Sequence, residues 1–226
     1  MFWEEEKPEV EVSVPDDVVD LVFSIACRSL PVDHAYELSQ AIQQYLPWFK
    51  EEAQAALHTI HVAASSNGWI RPENPDDVLY PSRRTKMIVR IPKHRIEATK
   101  ALCGKTLDIA HNSLQVKSAS LKPLSDLTTL FSRYIVCDAQ DSEMDFLMRV
   151  KTQLNEMNIK PKKMLCGTQN SLRTPGALLN ARSLMLAELE LKESIILQQN
   201  GLGPYLAMGC GIFIPHKDIR NLGDDD

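Results

Sequence analysis

The sequence predicts an α+β protein made of two tandem ferredoxin-like (RRM-like) units, each β-α-β-β-α-β with an antiparallel sheet and its helices on one face. Three observations carry that expectation. Short segments alternate apolar and polar residues at period two, two segments in each half switch to helical spacing, and both halves have the same element order. No residue-level repeat accompanies the duplication, so it rests on element order alone.

In the first half, VDLVFSIACR alternates as a strand. Asp33 then caps a helix whose Leu38, Ile42 and Tyr45/Leu46 follow helical spacing as far as Pro47. LHTIHVAA reads as a second strand, a loop rich in Pro, Asn and Asp runs from Asn67 to Pro81, and TKMIVRIP is a third strand. KHRIEATKALCG is a short helix ending at Gly104, and KTLDIAHNSLQVKSASLKPL is a strand or hairpin closed by Pro123. The second half gives LFSRYIVC as strand, DSEMDFLMRVKTQLNEM as helix, KKMLCG and ALLNARSLMLAEL as strands, KESIILQQ as helix and MGCGIFIP as strand. An acidic tail over 1–10, an N-terminal unit over 11–125, a C-terminal unit over 126–217 and a second acidic tail over 218–226 follow, with the linker near Leu124–Thr129.

At 226 residues the chain can bury a full core. No apolar run approaches a membrane span, and the opening MFWEEEKPEVEV is acidic where a signal peptide is basic and then apolar, so a cytoplasmic protein without membrane contact is expected. Five widely spaced cysteines beside apolar segments read as reduced core residues rather than a disulfide or metal framework.

The net charge of −5 hides an uneven distribution. Ten Lys or Arg stand between Ser82 and Lys122 against Glu97 and Asp108, and six between Lys151 and Arg182 against Glu156, while residues 1–20 and the terminal GDDD are acidic. Basic regions with acidic ends fit a polyanion binder; scattered solvated charge is the plainer alternative.

Only nine glycines occur, and Gly201, Gly203, Gly209 and Gly211 cluster in NGLGPYLAMGCGIFIPHK. Backbone there must turn sharply or approach something closely, for which an extended polyanion is a candidate; a helix C-cap at Gly201 and a bulged strand at Gly209 and Gly211 is the alternative. The order helix-loop-strand disfavours a dinucleotide or ATP fingerprint, which needs strand-loop-helix.

LPVDHAYEL opening the first helix, GLGPYLAMGCGIFIPHK, and the duplicated element order together resemble the CRISPR-associated endoribonucleases that cut repeat RNA into mature guides, in their compact Myxan-type branch. The similarity runs from about Val12 to Lys217. It implies RNA in a basic cleft between the two units and metal-independent, cofactor-free cleavage by the ribose 2′-hydroxyl, leaving a 5′-hydroxyl and a 2′,3′-cyclic phosphate. It also implies that the cut RNA stays bound and that the protein joins other subunits of a guide-RNA complex, with no DNA contact of its own.

Such chemistry needs a base, an acid and positive charge over the phosphate. His34, in the first helical turn, matches the family's usual position for the catalytic histidine, and Arg84 is the preferred charge stabiliser. Tyr36 lies two residues on, facing away, and reads as core more than as partner. Arg83, Lys86, Lys162, Lys163 and Arg173 are candidate RNA contacts, as are Gly201, Gly203, Met208, Gly209, Gly211, His216 and Lys217 at the C-terminal loop and strand. His58 and His61 are expected on opposite faces of one strand, and His94 and His111 at the surface. A non-catalytic subunit that binds guide RNA is the second function class; a small-molecule phosphodiesterase is a third, weakened because only HNS at His111 fits its paired motif.

Overall fold

A computed structural model describes residues 14–62, 72, 74 and 76–216. In the first half β1 (Val18–Cys27) leads through the two-residue β2 (Leu30–Pro31) into α1 (Ala35–Tyr45), then β3 (Ala56–Leu57), β4 (Val78–Leu79) and β5 (Lys86–Pro92). A short α2 (Ile96–Lys100) and the hairpin β6 (Thr106–Ile109) and β7 (Asn112–Lys122) complete it. The second half runs β8 (Leu130–Val136), α3 (Glu143–Glu156), β9 (Lys163–Thr174), β10 (Ala177–Ala187), α4 (Leu191–Asn200) and β11 (Ile214–Pro215).

One sheet has the order β3-β5-β1-β7-β6 and the other β11-β8-β10-β9, with β2 and β4 as a separate ribbon. Every pairing is antiparallel. With β6 and β7 counted as one hairpin, both sheets have the last strand beside the first and the two middle strands beyond. That is the ferredoxin-like order, used twice.

Each half has its own apolar core: Leu21, Phe23, Leu38, Ile42, Phe49 and Met87 in the first, Phe146, Val150, Leu154, Leu184, Leu197 and Phe213 in the second. α1 reaches its core through the Leu38–Ile42 spacing the sequence shows. α3 is started by a capping box, the Ser142 hydroxyl accepting from Asp145 N–H while the Asp145 carboxylate accepts from Ser142 N–H. A small third cluster of Ala35, Tyr134, Leu172, Ala181 and Cys210 packs the start of α1 against the second sheet.

Four local expectations are corrected. The strand expected over LHTIHVAA pairs with β5 only at its start, at Leu57 and through the His58 N–H donating to the Ile88 carbonyl, and further on the Ile60 N–H goes to a side chain rather than to a neighbouring strand; Ala63 and Ala64 lie outside the described residues. MGCGIFIP is strand only at Ile214–Pro215, since Gly209 and Gly211 take φ of 89° and 72°, which extended backbone does not use. Helix α1 has His34 and not Asp33 at its N-cap; the Asp33 carboxylate accepts from the Arg173 N–H. Cys103 is exposed rather than core, while Cys137 and Cys210 are buried, and burial pushes the Cys210 thiol up to about 12. The acidic tails over 1–10 and 218–226, Lys217, and residues 67–71 of the expected polar loop lie outside the described residues. Among the described residues, no helix is long and apolar enough to cross a membrane.

Candidate functional site

The two halves meet along a cleft enclosing a cavity of about 450 Å³. One wall is β5 and the turn before it, which bring Arg84, Lys86 and Ile88. The floor is the segment after β3, with His58, Thr59 and His61, and the other wall is Arg133 of β8 with Ile212, Ile214 and Pro215. Lys122, at the end of β7, closes one side. Four cations from three separate stretches of sequence thus share one cavity. Its apolar isoleucines and proline lower the local dielectric and strengthen whatever the cations hold.

His58 and His61 line this cavity together, contrary to the expectation of opposite faces. Pairing with β5 ends with the His58 N–H donating to the Ile88 carbonyl, so strand alternation does not govern the residues that follow. His58 is the more enclosed: burial lowers its pKa, with the Asp20 carboxylate 3.4 Å from Nε2 pulling the other way. Burial works to raise the pKa of Asp20, but the guanidinium of Arg90, which donates through Nε and Nη2 to its two oxygens, holds the carboxylate well below the usual range with His58 beside it. His61 is half-buried, its Nε2 3.0 Å from the Thr59 hydroxyl.

His34 lies behind this floor and is only 3% exposed. Nδ1 is 2.8 Å from the Pro31 carbonyl oxygen, and Nε2 accepts from the Ile60 N–H at 3.0 Å. Those two bonds fix the neutral tautomer with the proton on Nδ1. They also occupy the lone pair that a base would use, and the His34 ring ties the start of α1 to the His58–His61 segment.

The remaining candidates divide. Arg84 and Lys86 line the cleft, and Lys86 donates to the Ser24 hydroxyl. Arg83 is exposed in the same turn, outside the cavity lining. Tyr36 is half-buried. Lys162 precedes and Lys163 begins β9, at the edge of the second sheet opposite β11, and Lys163 pairs with Glu188. Arg173 reaches Asp76 at 2.6 Å, near the start of α1. His216 lies past β11, its ring 6.1 Å from that of Phe131. Met208 is buried.

The close approaches at the glycines are to the protein's own chain. A Cβ on Gly209 would stand 2.8 Å from the Leu57 carbonyl oxygen, one on Gly211 2.1 Å from that of Leu202, and one on Gly201 2.8 Å from that of Gly211. Gly201 caps α4, as the plainer alternative held. Of the four glycines in this loop, Gly203 alone faces open space, exposed at φ 78°. The loop folds on itself and docks on β3, which completes the cleft floor.

Sequence reasoning missed Lys122 and Arg133 as cleft residues. Both stand alone in strands, where nothing local marks which face meets the other half. Among the described residues, no group of three or more His, Cys, Asp or Glu is placed to hold a metal ion.

Over residues 19–218 the chain matches the family described as Cas6 Crispr. It is 26% identical over 197 residues to a CRISPR-associated endonuclease Cas6 of Myxococcus xanthus, covering 87% of this chain and 81% of that protein. Among solved structures, a Cas6-related protein of Pyrococcus furiosus superposes with a TM-score of 0.63 at 13% identity, over 87% of this chain and 97% of that one. A structure described as an RAMP protein binding different RNA substrates gives 0.64 at 14%, over 88% and 100%. Sequence match and shared fold agree: this chain belongs to the Cas6 family.

Proposed function

We propose that this protein binds CRISPR repeat RNA in the cleft between its two sheets and cuts it by metal-independent transesterification. The observation that carries this is the convergence of Arg84, Lys86, Lys122 and Arg133 on one cavity beside His61, in a chain of the Cas6 family. The Myxococcus xanthus relative's name as an endonuclease supports the cutting, and the RNA-binding relative of the same fold supports the substrate class.

In this proposal His61 removes the proton from a ribose 2′-hydroxyl, and the resulting oxyanion attacks the adjacent phosphorus. Arg84, with Arg133, neutralises the charge that builds on the phosphoryl oxygens. The 5′-oxygen leaves with a proton from the Lys86 ammonium, giving a 5′-hydroxyl and a 2′,3′-cyclic phosphate. His34 acts through Ile60, holding the His58–His61 segment to the cleft floor.

The test is incubation of the full chain with its repeat RNA in EDTA, with analysis of the product ends. Cleavage should persist, and a 2′-deoxy substitution at the nucleotide 5′ of the cut should abolish it. His61→Ala should lower the rate by about 10²–10⁴, the usual worth of a general base. His34→Ala should lower it too, whereas His34→Gln, which keeps one donor and one acceptor, should recover to within about tenfold of wild type if the role is positioning. Loss of all activity in His34→Gln with full activity in His61→Ala would transfer the base role to His34. The enclosure of both His34 and His58 favours a second reading, RNA binding without turnover; tight binding with intact RNA under every ionic condition would select it.

A further inference from the structure

Beside the basic cavity lies a strip of flat side chains of which only Arg133 enters the cleavage chemistry, through its edge rather than its face. Phe131 and Ile214 are directly opposed across the β8–β11 pairing, which puts both side chains on one face of the sheet. Ile214 lines the cavity, so the Phe131 ring stands at its rim. The Arg133 guanidinium carbon is 5.6 Å from the centroid of that ring. Arg133 follows Ser132 where the β8–β10 register shifts, an irregularity of the kind that re-aims a side chain. The His216 ring lies 6.1 Å from Phe131 on the other strand, tilted by 57°. Phe131, Arg133 and His216 are all half-buried, so each keeps accessible surface.

Flat apolar and guanidinium surfaces beside a row of ammonium groups match one kind of ligand well. A single-stranded nucleic acid offers a base with two π-faces and a phosphate at each step. Here the phosphates face Lys86, Lys122 and Arg84, and the one carboxylate lining the cavity among the described residues, Asp20, is already held by Arg90. We propose that Phe131, Arg133 and His216 form a stacking subsite that seats one unpaired nucleobase of the RNA at the rim of the cleft. This rests on the reading of the cleft as an RNA site and adds that an unpaired nucleotide is gripped by its face, with little regard to base identity.

The probe is a uridine RNA octamer with one central 2-aminopurine, whose fluorescence falls on stacking, added to the full chain while anisotropy reports binding. Wild-type protein should bind and quench. Phe131→Leu should weaken binding by about tenfold and abolish most of the quenching, since base–aromatic stacking is worth that much or more. The slope of log affinity against log salt should stay unchanged, because no phosphate contact is lost. Phe131→Trp should restore both affinity and quenching. If Phe131→Leu fails to fold, His216→Ala serves instead, with a smaller loss of quenching expected. Binding by wild type without quenching, or full quenching in the leucine or alanine variant, overturns the subsite while leaving the cleft reading standing. Absence of any binding, of octamer and of repeat RNA alike, overturns the cleft reading itself.

Discussion

At the scale of single residues, the His58–Asp20–Arg90 group makes stability depend on pH in a definite direction. Burial keeps the folded-state pKa of His58 below its usual value of 6.5. Below about pH 6.5 the unfolded chain therefore takes up a proton that the folded chain refuses, and stability falls by up to about 1.4 kcal/mol per pH unit. Asp20 adds a second loss further down: its folded pKa is depressed, so its contribution is present above about pH 4 and disappears below it. Thermal melts from pH 7.5 to 5 should show a falling Tm, and His58→Gln should flatten that slope. Arg84→Ala should weaken RNA binding at every sequence alike and reduce the salt slope by about 0.7, the value of one phosphate contact on a single strand. Of these residues, Arg84 and Lys86 were legible because two neighbouring basic residues at a strand start stand out. His34 stood out in the sequence, but its enclosure did not, since a residue beside a helix start can face solvent or core, and only the arrival of Ile60 decides which.

At the scale of elements, the C-terminal loop is where chain geometry is least forgiving. Gly211→Ala would place a methyl group 2.1 Å from the Leu202 carbonyl oxygen in a left-handed conformation, and backbone cannot step aside cheaply. It should cost about 2–4 kcal/mol and lower the Tm by several degrees. Gly203→Ala meets nothing within 4 Å and bears only the cost of its positive φ, about 1 kcal/mol. Comparing the two melts separates crowding from conformational strain. The long elements were readable from periodicity, because β1, β5, α1, α3 and α4 each turn apolar side chains into a core. β3 and β11 were read too long. Both are edge strands, and what ended them was a side chain and a pair of left-handed glycines rather than any break in the apolar pattern.

At the scale of the whole molecule, one buried guanidinium spans the two halves. Arg90, in β5 and 2% exposed, holds Asp20 of its own sheet and donates through Nη1 to the carbonyls of Gln198 and Phe213 at 2.8 and 2.9 Å. Truncating it strands a buried carboxylate and two carbonyls. Arg90→Ala should therefore cost about 3–5 kcal/mol and speed hydrogen exchange in the 198–213 segment before either core opens. The duplication of the fold was legible from element order, but the cleft was not. Its walls come from positions as far apart as Asp20 and Pro215, and no local pattern records which faces meet. That span has a consequence for synthesis. A ribosome emitting the chain releases all of the first sheet before any of the second, and the turns at Gly209 and Gly211 come before β11, the edge strand of the second sheet. A nascent molecule therefore owns one finished module while the other still lacks Phe213 and β11, and the groove, walled by Ile212, Ile214 and Pro215, closes in the same step as the second sheet.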